Sequence, residues 1–199
     1  MNQALWPFLL TTFVLVGSPG PNTLSVAAVG AAYGNRRGLP YLVGICFGVS
    51  LVVALVGSGM AALVLSFPGV APIVTLLAAA YLLYLAYRIA TARPIVREAV
   101  QGMSKPPVWY AGFALALANP KAYAAVGASF SQHTLLPHSA WQDTLLKSVL
   151  FMAAIVLVNL LWLRVGAAIS SHLADTRMSR RVNIGFAVLL LGSVVWVMR

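Results

Sequence analysis

Acidic residues are almost absent from this chain of 199 residues, which has 3 Asp and Glu against 13 Lys and Arg, and a single cysteine. Only 8% of the residues are charged and 61% are hydrophobic, whereas a typical soluble domain is about 25% charged and about 45–50% apolar. This composition cannot cover a water-soluble surface, so the sequence predicts a membrane protein. The basic residues lie in short loops between apolar runs and not on one basic face with stacking aromatics, which excludes nucleic-acid binding.

The scarcity of acids and cysteine also removes several kinds of chemistry. An intramembrane protease needs two aspartates or an activated serine with a basic partner, and thiol transfer needs two cysteines. A metal exporter would need carboxylate, histidine or cysteine ligands inside the membrane. The sequence places Glu98, Asp143 and Asp175 in loops, and Cys46 stands alone in an apolar run. We therefore expect no enzyme activity, no catalytic residue, no metal and no cofactor.

Long apolar runs are abundant instead. A bilayer core about 30 Å thick is crossed by about 20 apolar residues of helix, within a range of about 17–25. Six runs reach this range, and the sequence therefore predicts an all-α membrane protein with six transmembrane helices in a single domain over residues 1–199. The predicted spans are Leu5–Tyr33, Leu39–Ser66, Val70–Ala90, Val108–Phe130, Leu145–Ser171 and Val182–Met198.

The positions of the basic residues predict the orientation of the spans. Nine of the 13 lie in the loops that follow the first, third and fifth spans, whereas Lys147 and Arg199 lie on the opposite side. Because cytoplasmic loops are enriched in Lys and Arg, we expect those three loops in the cytoplasm and both termini in the periplasm.

The longest polar loop, 91–107, separates two halves of three spans each, residues 1–90 and 108–199. Since three is odd, related halves would lie in opposite orientations, which is the inverted-repeat arrangement of many secondary transporters. Each half begins with a helix that a proline motif interrupts at mid-span, at Val16–Asn22 in the first and Ala118–Lys121 in the second. The sequence predicts two inverted three-helix repeats, with helices 1 and 4 broken.

The two breaks supply most of the candidate binding residues. If Pro21 and Pro120 each begin a new half-helix, Gly20 is the N-cap of the first and Asn119 that of the second. Two helix N-termini inside the membrane attract an anionic group, which for a small metabolite is usually a carboxylate. Lys121 follows directly, at a depth where a cation needs carbonyls, water or a bound anion as its partner.

Two polar residues of the fifth span complete the candidate site. Asn159 lies well inside that span, and Arg164 either joins the site or extends its long side chain to the cytoplasmic edge. The predicted substrate-binding residues are Ser18, Pro19, Gly20, Pro21, Asn22, Asn119, Pro120, Lys121, Asn159 and Arg164.

Small residues recur at helical spacing in the first two spans. Gly30, Gly34, Gly38, Gly44 and Gly48 give glycine pairs four residues apart, which allow two helices to approach closely. Such a face serves packing within one chain as well as a homodimer, and the spacing does not decide between them.

Three segments carry a family resemblance: Ser18–Asn22 (SPGPN), the glycine-rich continuation from Gly34 to Gly44, and Asn119–Ala122 (NPKA). They resemble the lysine exporter (LysE/RhtB) family of small bacterial amino-acid exporters, and with the length and the six spans the resemblance covers almost the whole chain. The stretch from Asn159 to Asn183 is more similar to the cysteine and O-acetylserine exporter branch.

The resemblance implies a function in the lipid bilayer of the bacterial inner membrane. It implies export of amino acids or close derivatives from the cytoplasm with coupling to protons. From the intramembrane cations and the inverted repeats we expect small neutral substrates, of the cysteine, O-acetylserine, threonine or homoserine type, moved by alternating access. The lack of an acidic group inside the membrane argues against a cationic substrate. Export of lysine or arginine, and a membrane scaffold that transports nothing, remain the alternatives.

Overall fold

The structure is a computed structural model that describes residues 2–59 and 107–171 continuously, together with isolated positions elsewhere. Within these residues every regular element is an α-helix. The helices are α1 (Asn2–Gly17), α2 (Pro21–Gly57), α3 (Trp109–Ala118), α4 (Pro120–Gln132) and α5 (Ala140–Ser171). The predicted third span, Val70–Ala90, and the predicted sixth span, Val182–Met198, lie outside the continuously described residues.

Helix α2 consists of two arms that fold back on each other at Gly34. This residue has φ 77° and ψ 171°, a conformation that an L side chain rarely adopts. A β-carbon on Gly38 would lie 3.3 Å from the Val29 side chain, although nine residues of straight helix span about 13.5 Å. The reversal leaves Arg36 and Arg37 exposed at the turn. The first two predicted spans are therefore joined where the basic loop was expected.

Two proline motifs interrupt the helices where the sequence predicts. Helix α1 ends at Gly17 and α2 begins at Pro21, while α3 ends at Ala118 and α4 begins at Pro120. Both prolines are the first residue of their helix, where the missing backbone N–H removes no intrahelical hydrogen bond. The predicted fourth span is thus two short helices, α3 and α4.

The glycines bring α2 into direct backbone contact with α3 and α5, the helices with which it packs most extensively. A β-carbon on Gly44 would overlap the carbonyl oxygen of Trp109 in α3. A β-carbon on Gly166 of α5 would likewise overlap the carbonyl oxygen of Ala27. The small residues therefore pack helices within this chain. Gly34 belongs to the turn and not to this packing, since a β-carbon there would meet no described atom within 4 Å.

The outer surface is strongly apolar. Trp6 and Trp141 are 71% and 72% exposed, and Leu10 and Phe47 are 68% and 61% exposed. Helix α2, whose longer arm covers the 23 residues 35–57, and the segment Ala140–Ile169 are long and apolar enough to cross a membrane. Large exposed apolar side chains around such helices form a surface that suits lipid and not water.

Helix α5 begins earlier than expected, and this corrects the position of one acidic residue. Asp143 lies in the first turn of α5 and is 6% exposed, whereas the sequence placed it in a loop. Its Oδ2 lies 2.6 Å from the Nζ of Lys147, and its Oδ1 accepts hydrogen bonds from the backbone N–H groups of Leu135 and Leu136. Because these partners compensate the carboxylate, it is stable in a buried position.

Candidate functional site

Each of the two helix breaks contributes an N-cap residue to the site. Gly20 and Asn119 both have extended backbones and each precedes a proline that begins a helix. The Asn119 side chain accepts a hydrogen bond from the backbone N–H of Lys121, and its carbonyl accepts one from Ala122. Gly20 has no side chain, so the N-terminus of α2 has no side-chain cap. The sequence predicts an uncapped helix N-terminus at both breaks. The structure has one at α2, whereas Asn119 caps α4.

Lys121 joins the two breaks across 103 residues of sequence. Its Nζ donates hydrogen bonds to the carbonyl oxygen of Ser18 at 2.6 Å, to Ser18 Oγ at 2.9 Å and to the carbonyl oxygen of Pro19 at 3.2 Å. An ammonium group has three donors, and these acceptors use all three. The residues that lost their helical partners at the first break thus compensate the cation at the second.

Gly20 is packed directly under the Lys121 side chain. A β-carbon on Gly20 would lie 2.8 Å from Lys121 Cδ and 2.9 Å from Lys121 Nζ. The Gly20 backbone has φ −170°, which any residue can adopt, so the constraint here is space and not backbone conformation. Thr23 holds the turn by accepting a hydrogen bond from the Gly20 N–H at 3.0 Å.

A cavity of about 40 Å³ lies beside this junction. Its polar lining includes Asn22, Thr23, Asn119, Lys121 and Asn159. Among the described residues around the cavity, Lys121 carries the charge. A small amphiphile with a carboxylate fits this chemistry better than a cation does.

Two amide oxygens at the cavity are left without partners. Within the described part of the chain, Asn22 Oδ1 and Asn159 Oδ1 are buried and make no hydrogen bond. Asn159 is 1% exposed, and its Nδ2 donates to the carbonyl oxygen of Ile155 at 2.9 Å. Buried polar atoms are nearly always paired in folded proteins, so these two oxygens are available to a ligand or to water.

Aromatic rings fill the space between the cavity and the loop after α4. Phe151 lines the cavity and packs edge-on against Phe130, with ring centroids 6.1 Å apart. Phe130 contacts Phe8 at 6.5 Å, and Phe8 contacts His133 at 6.0 Å. The cavity is thus separated from that loop by apolar side chains.

The predicted site residues fall into four groups. Gly20, Asn22, Asn119, Lys121 and Asn159 line the cavity. Ser18 and Pro19 contact Lys121 beside it, and Pro21 and Pro120 hold the helix starts without appearing in its lining. Arg164 is exposed on α5 and is not among the described lining residues, as expected of a side chain that extends to a membrane edge.

Sequence reasoning missed Thr23 and Phe151, which both line the cavity. Thr23 had a weak signal, because the third residue after an N-cap can accept from the backbone N–H of that cap, although Glu or Gln is the usual residue there. Phe151 had none, since an aromatic residue in an apolar helix looks the same whether it faces lipid, core or a cavity.

Paired helix breaks around a polar cavity, within an apolar helical bundle, are the arrangement of a membrane transporter. The sequence profile of the family described as LysE type translocator matches residues 13–198. The chain belongs to this family, as its motifs indicate, and is a transmembrane transporter and not an enzyme.

Two relatives with a described function are similar to this chain over nearly its whole length. A cysteine/O-acetylserine efflux protein of Salmonella paratyphi A is 30% identical over 193 residues, which cover 95% of this chain and 93% of that protein. A protein of the same description from Escherichia coli K12 is 27% identical over 192 residues, with the same shares covered. No solved structure matches the chain significantly.

Proposed function

We propose that this protein exports small neutral amino acids or close derivatives, of the cysteine, O-acetylserine, threonine or homoserine type, from the bacterial cytoplasm. The observation that carries the proposal is the bridge from Lys121 to Ser18 at the edge of a buried polar cavity. Membership of a translocator family and the efflux proteins among the relatives support it. The substrate would occupy the cavity between the two helix breaks.

The substrate carboxylate is the group that Lys121 would recognise. The ammonium already has three acceptors, of which the Pro19 carbonyl is the most distant, at 3.2 Å, and lies at an exposed position. A carboxylate can replace this neutral acceptor and form a stronger charge-assisted hydrogen bond. The uncapped N-terminus of α2, with its positive dipole end, would add to the attraction.

A neutral side chain follows from the charges around the cavity. A neutral amino acid balances its own ammonium with its carboxylate, whereas lysine or arginine would bring an additional side-chain cation, and the described lining residues include no acid to compensate it. Asp143 is buried, but Lys147 already neutralises it. Export of cationic amino acids is therefore the weaker alternative. A scaffold that transports nothing does not explain why Lys121 connects the two helix breaks.

A change of hydrogen-bond partners at Lys121 would link substrate binding to movement of the helices. While the ammonium holds Ser18 and Pro19, it ties the end of α1 to the start of α4. A substrate that takes over one of these hydrogen bonds weakens that tie. We propose that the two inverted repeats, 1–90 and 108–199, then rock about the cavity and expose it alternately to each side of the inner membrane.

The energy source and the orientation are further parts of the proposal. The nine basic residues in the odd-numbered loops favour periplasmic termini. Protons are the coupling ion that we favour, carried by Lys121, a tyrosine or water. Export by proteoliposomes with and without an imposed pH gradient tests this, because a gradient-independent rate would indicate a facilitator.

Direct binding is the first experiment. We expect the purified protein to bind cysteine, O-acetylserine, threonine or homoserine saturably, and lysine and arginine far more weakly. Lys121→Met keeps the length of the side chain and removes its charge. It should weaken binding by about 10- to 100-fold, because a hydrogen bond to a charged group contributes about 1.5–3 kcal/mol.

Two comparisons make this experiment specific. Lys121→Arg should not restore full binding, since a planar guanidinium cannot replace a compact ammonium above Gly20. Arg164→Met removes a basic residue that lies exposed, and we expect a much smaller effect. Tight lysine binding without any neutral amino acid, or wild-type affinity in Lys121→Met, would refute the proposed site.

A further inference from the structure

The strongest unexplained feature of the cavity is the side chain of Asn159. Its Nδ2 donates to the Ile155 carbonyl at 2.9 Å, and this partner fixes the amide orientation because a carbonyl can only accept. The other amide atom is therefore the oxygen, Oδ1. It is buried and has no hydrogen-bond partner among the described residues, and Asn159 lines the cavity.

A second oxygen of the same kind belongs to Asn22. Its Oδ1 is also buried without a partner in the described part of the chain, and Asn22 lines the same cavity from the first turn of α2. Both atoms are acceptors only. Leaving two acceptors unpaired in a buried position costs free energy, so a donor is expected to reach them in the loaded state.

No donor of the described residues makes a hydrogen bond to either oxygen. The ammonium of Lys121, which is the cation at the cavity, is committed to Ser18 and Pro19. The missing donor must therefore come from the ligand or from water. In an amino acid the ammonium group is attached to the carbon next to the carboxylate, so a substrate held by Lys121 carries its donors close to that anchor.

We infer that Asn22 and Asn159 form an ammonium subsite, and that the transporter selects substrates with a free primary ammonium beside the carboxylate. This inference rests on the proposed export function and names the chemical class that the cavity accepts. An N-acylated derivative keeps the carboxylate but has only one amide N–H in place of three charged donors. It would leave at least one of the two oxygens unpaired and is rejected.

Two isomers test the inference without any change in ligand size. O-Acetylserine has a free ammonium group, and N-acetylserine has the same atoms with the acetyl group on nitrogen. Binding of each to the purified full-length protein is measured by competition, in buffer acidic enough to keep the acetyl group on oxygen. We expect O-acetylserine to bind at least roughly 10- to 100-fold more tightly, because one or two charged hydrogen bonds are at stake.

Variants assign the preference to Asn159. Asn159→Leu has a similar volume without the acceptor and should bring the two affinities within about threefold, mainly by weakening O-acetylserine. Asn159→Asp keeps the acceptor and should keep the preference. Gln142→Leu removes an exposed amide from the same helix and serves as the matched control.

The outcomes separate the inference from the proposed function. Equal binding of both isomers by the wild type, or an undiminished preference in Asn159→Leu, would overturn the subsite while amino-acid export stands. Failure of the wild type to bind any neutral amino acid would overturn both. The comparison of isomers on the wild-type protein needs no variant, so a folding defect of Asn159→Leu does not remove the test.

Discussion

Replacement of Gly20 by alanine is the smallest change that should disable the site without touching a polar atom. The new β-carbon would lie 2.8 Å from Lys121 Cδ and 2.9 Å from Lys121 Nζ. Since nonbonded carbon atoms are separated by about 3.5–4.0 Å, the lysine side chain must shift by about 0.7–1.2 Å. The Gly20 backbone is extended and accepts alanine without strain, so the effect acts on Lys121.

The size of the effect follows from the hydrogen bonds that this shift disturbs. The two shorter bonds from Lys121 reach Ser18 O and Ser18 Oγ at 2.6 and 2.9 Å, and a movement of this size lengthens or misaligns both. Each bond to a charged group contributes about 1.5–3 kcal/mol, of which solvent at this partly buried position screens a part. We expect export to fall about 10- to 100-fold, with a loss of stability of no more than about 1–2 kcal/mol.

Export of a neutral amino acid from loaded proteoliposomes, with thermal unfolding of the same preparations, measures both quantities. Gly17→Ala is the matched control on the other side of the break, because a β-carbon on Gly17 would meet no described atom within 4 Å. It should export like the wild type. Equal rates for Gly20→Ala and Gly17→Ala would show that the position of Lys121 does not matter for transport.

Three further predictions concern packing, the buried ion pair and topology. Gly44→Ala should destabilise the protein by about 1–3 kcal/mol through overlap with an α3 carbonyl, whereas Gly127→Ala, which meets open space, should leave the melting temperature within error. Lys147→Met should cost about 3–5 kcal/mol in thermal unfolding by leaving Asp143 buried without its partner, and the double variant with Asp143→Asn should recover part of that loss. A reporter that is active only in the cytoplasm should be silent when fused after Arg199, and a strong signal would reverse the proposed orientation.

The class of protein and the places where its helices break could be predicted from the sequence. Composition alone requires a lipid environment, because the fraction of charged residues is too small to cover a surface in water. Pro21 and Pro120 begin helices for a local reason, since proline lacks the donor that a helix interior needs. Asn119 caps α4 for an equally local reason, because its side chain accepts from an amide two residues away.

The interaction partners of the buried polar groups could not be predicted from the sequence. Lys121 is compensated by carbonyls 102 and 103 residues away, and no local pattern encodes which of the many possible acceptors it meets. The sequence predicts a loop position for Asp143. In the tertiary structure it is buried, because Lys147 and two backbone amides compensate its charge. Arg164 looks equivalent to Lys121 along the chain, yet one is exposed and the other lines the cavity. Helix breaks depend on the covalent chemistry of neighbouring residues, whereas compensation of a buried charge depends on which segments the packed helices bring together.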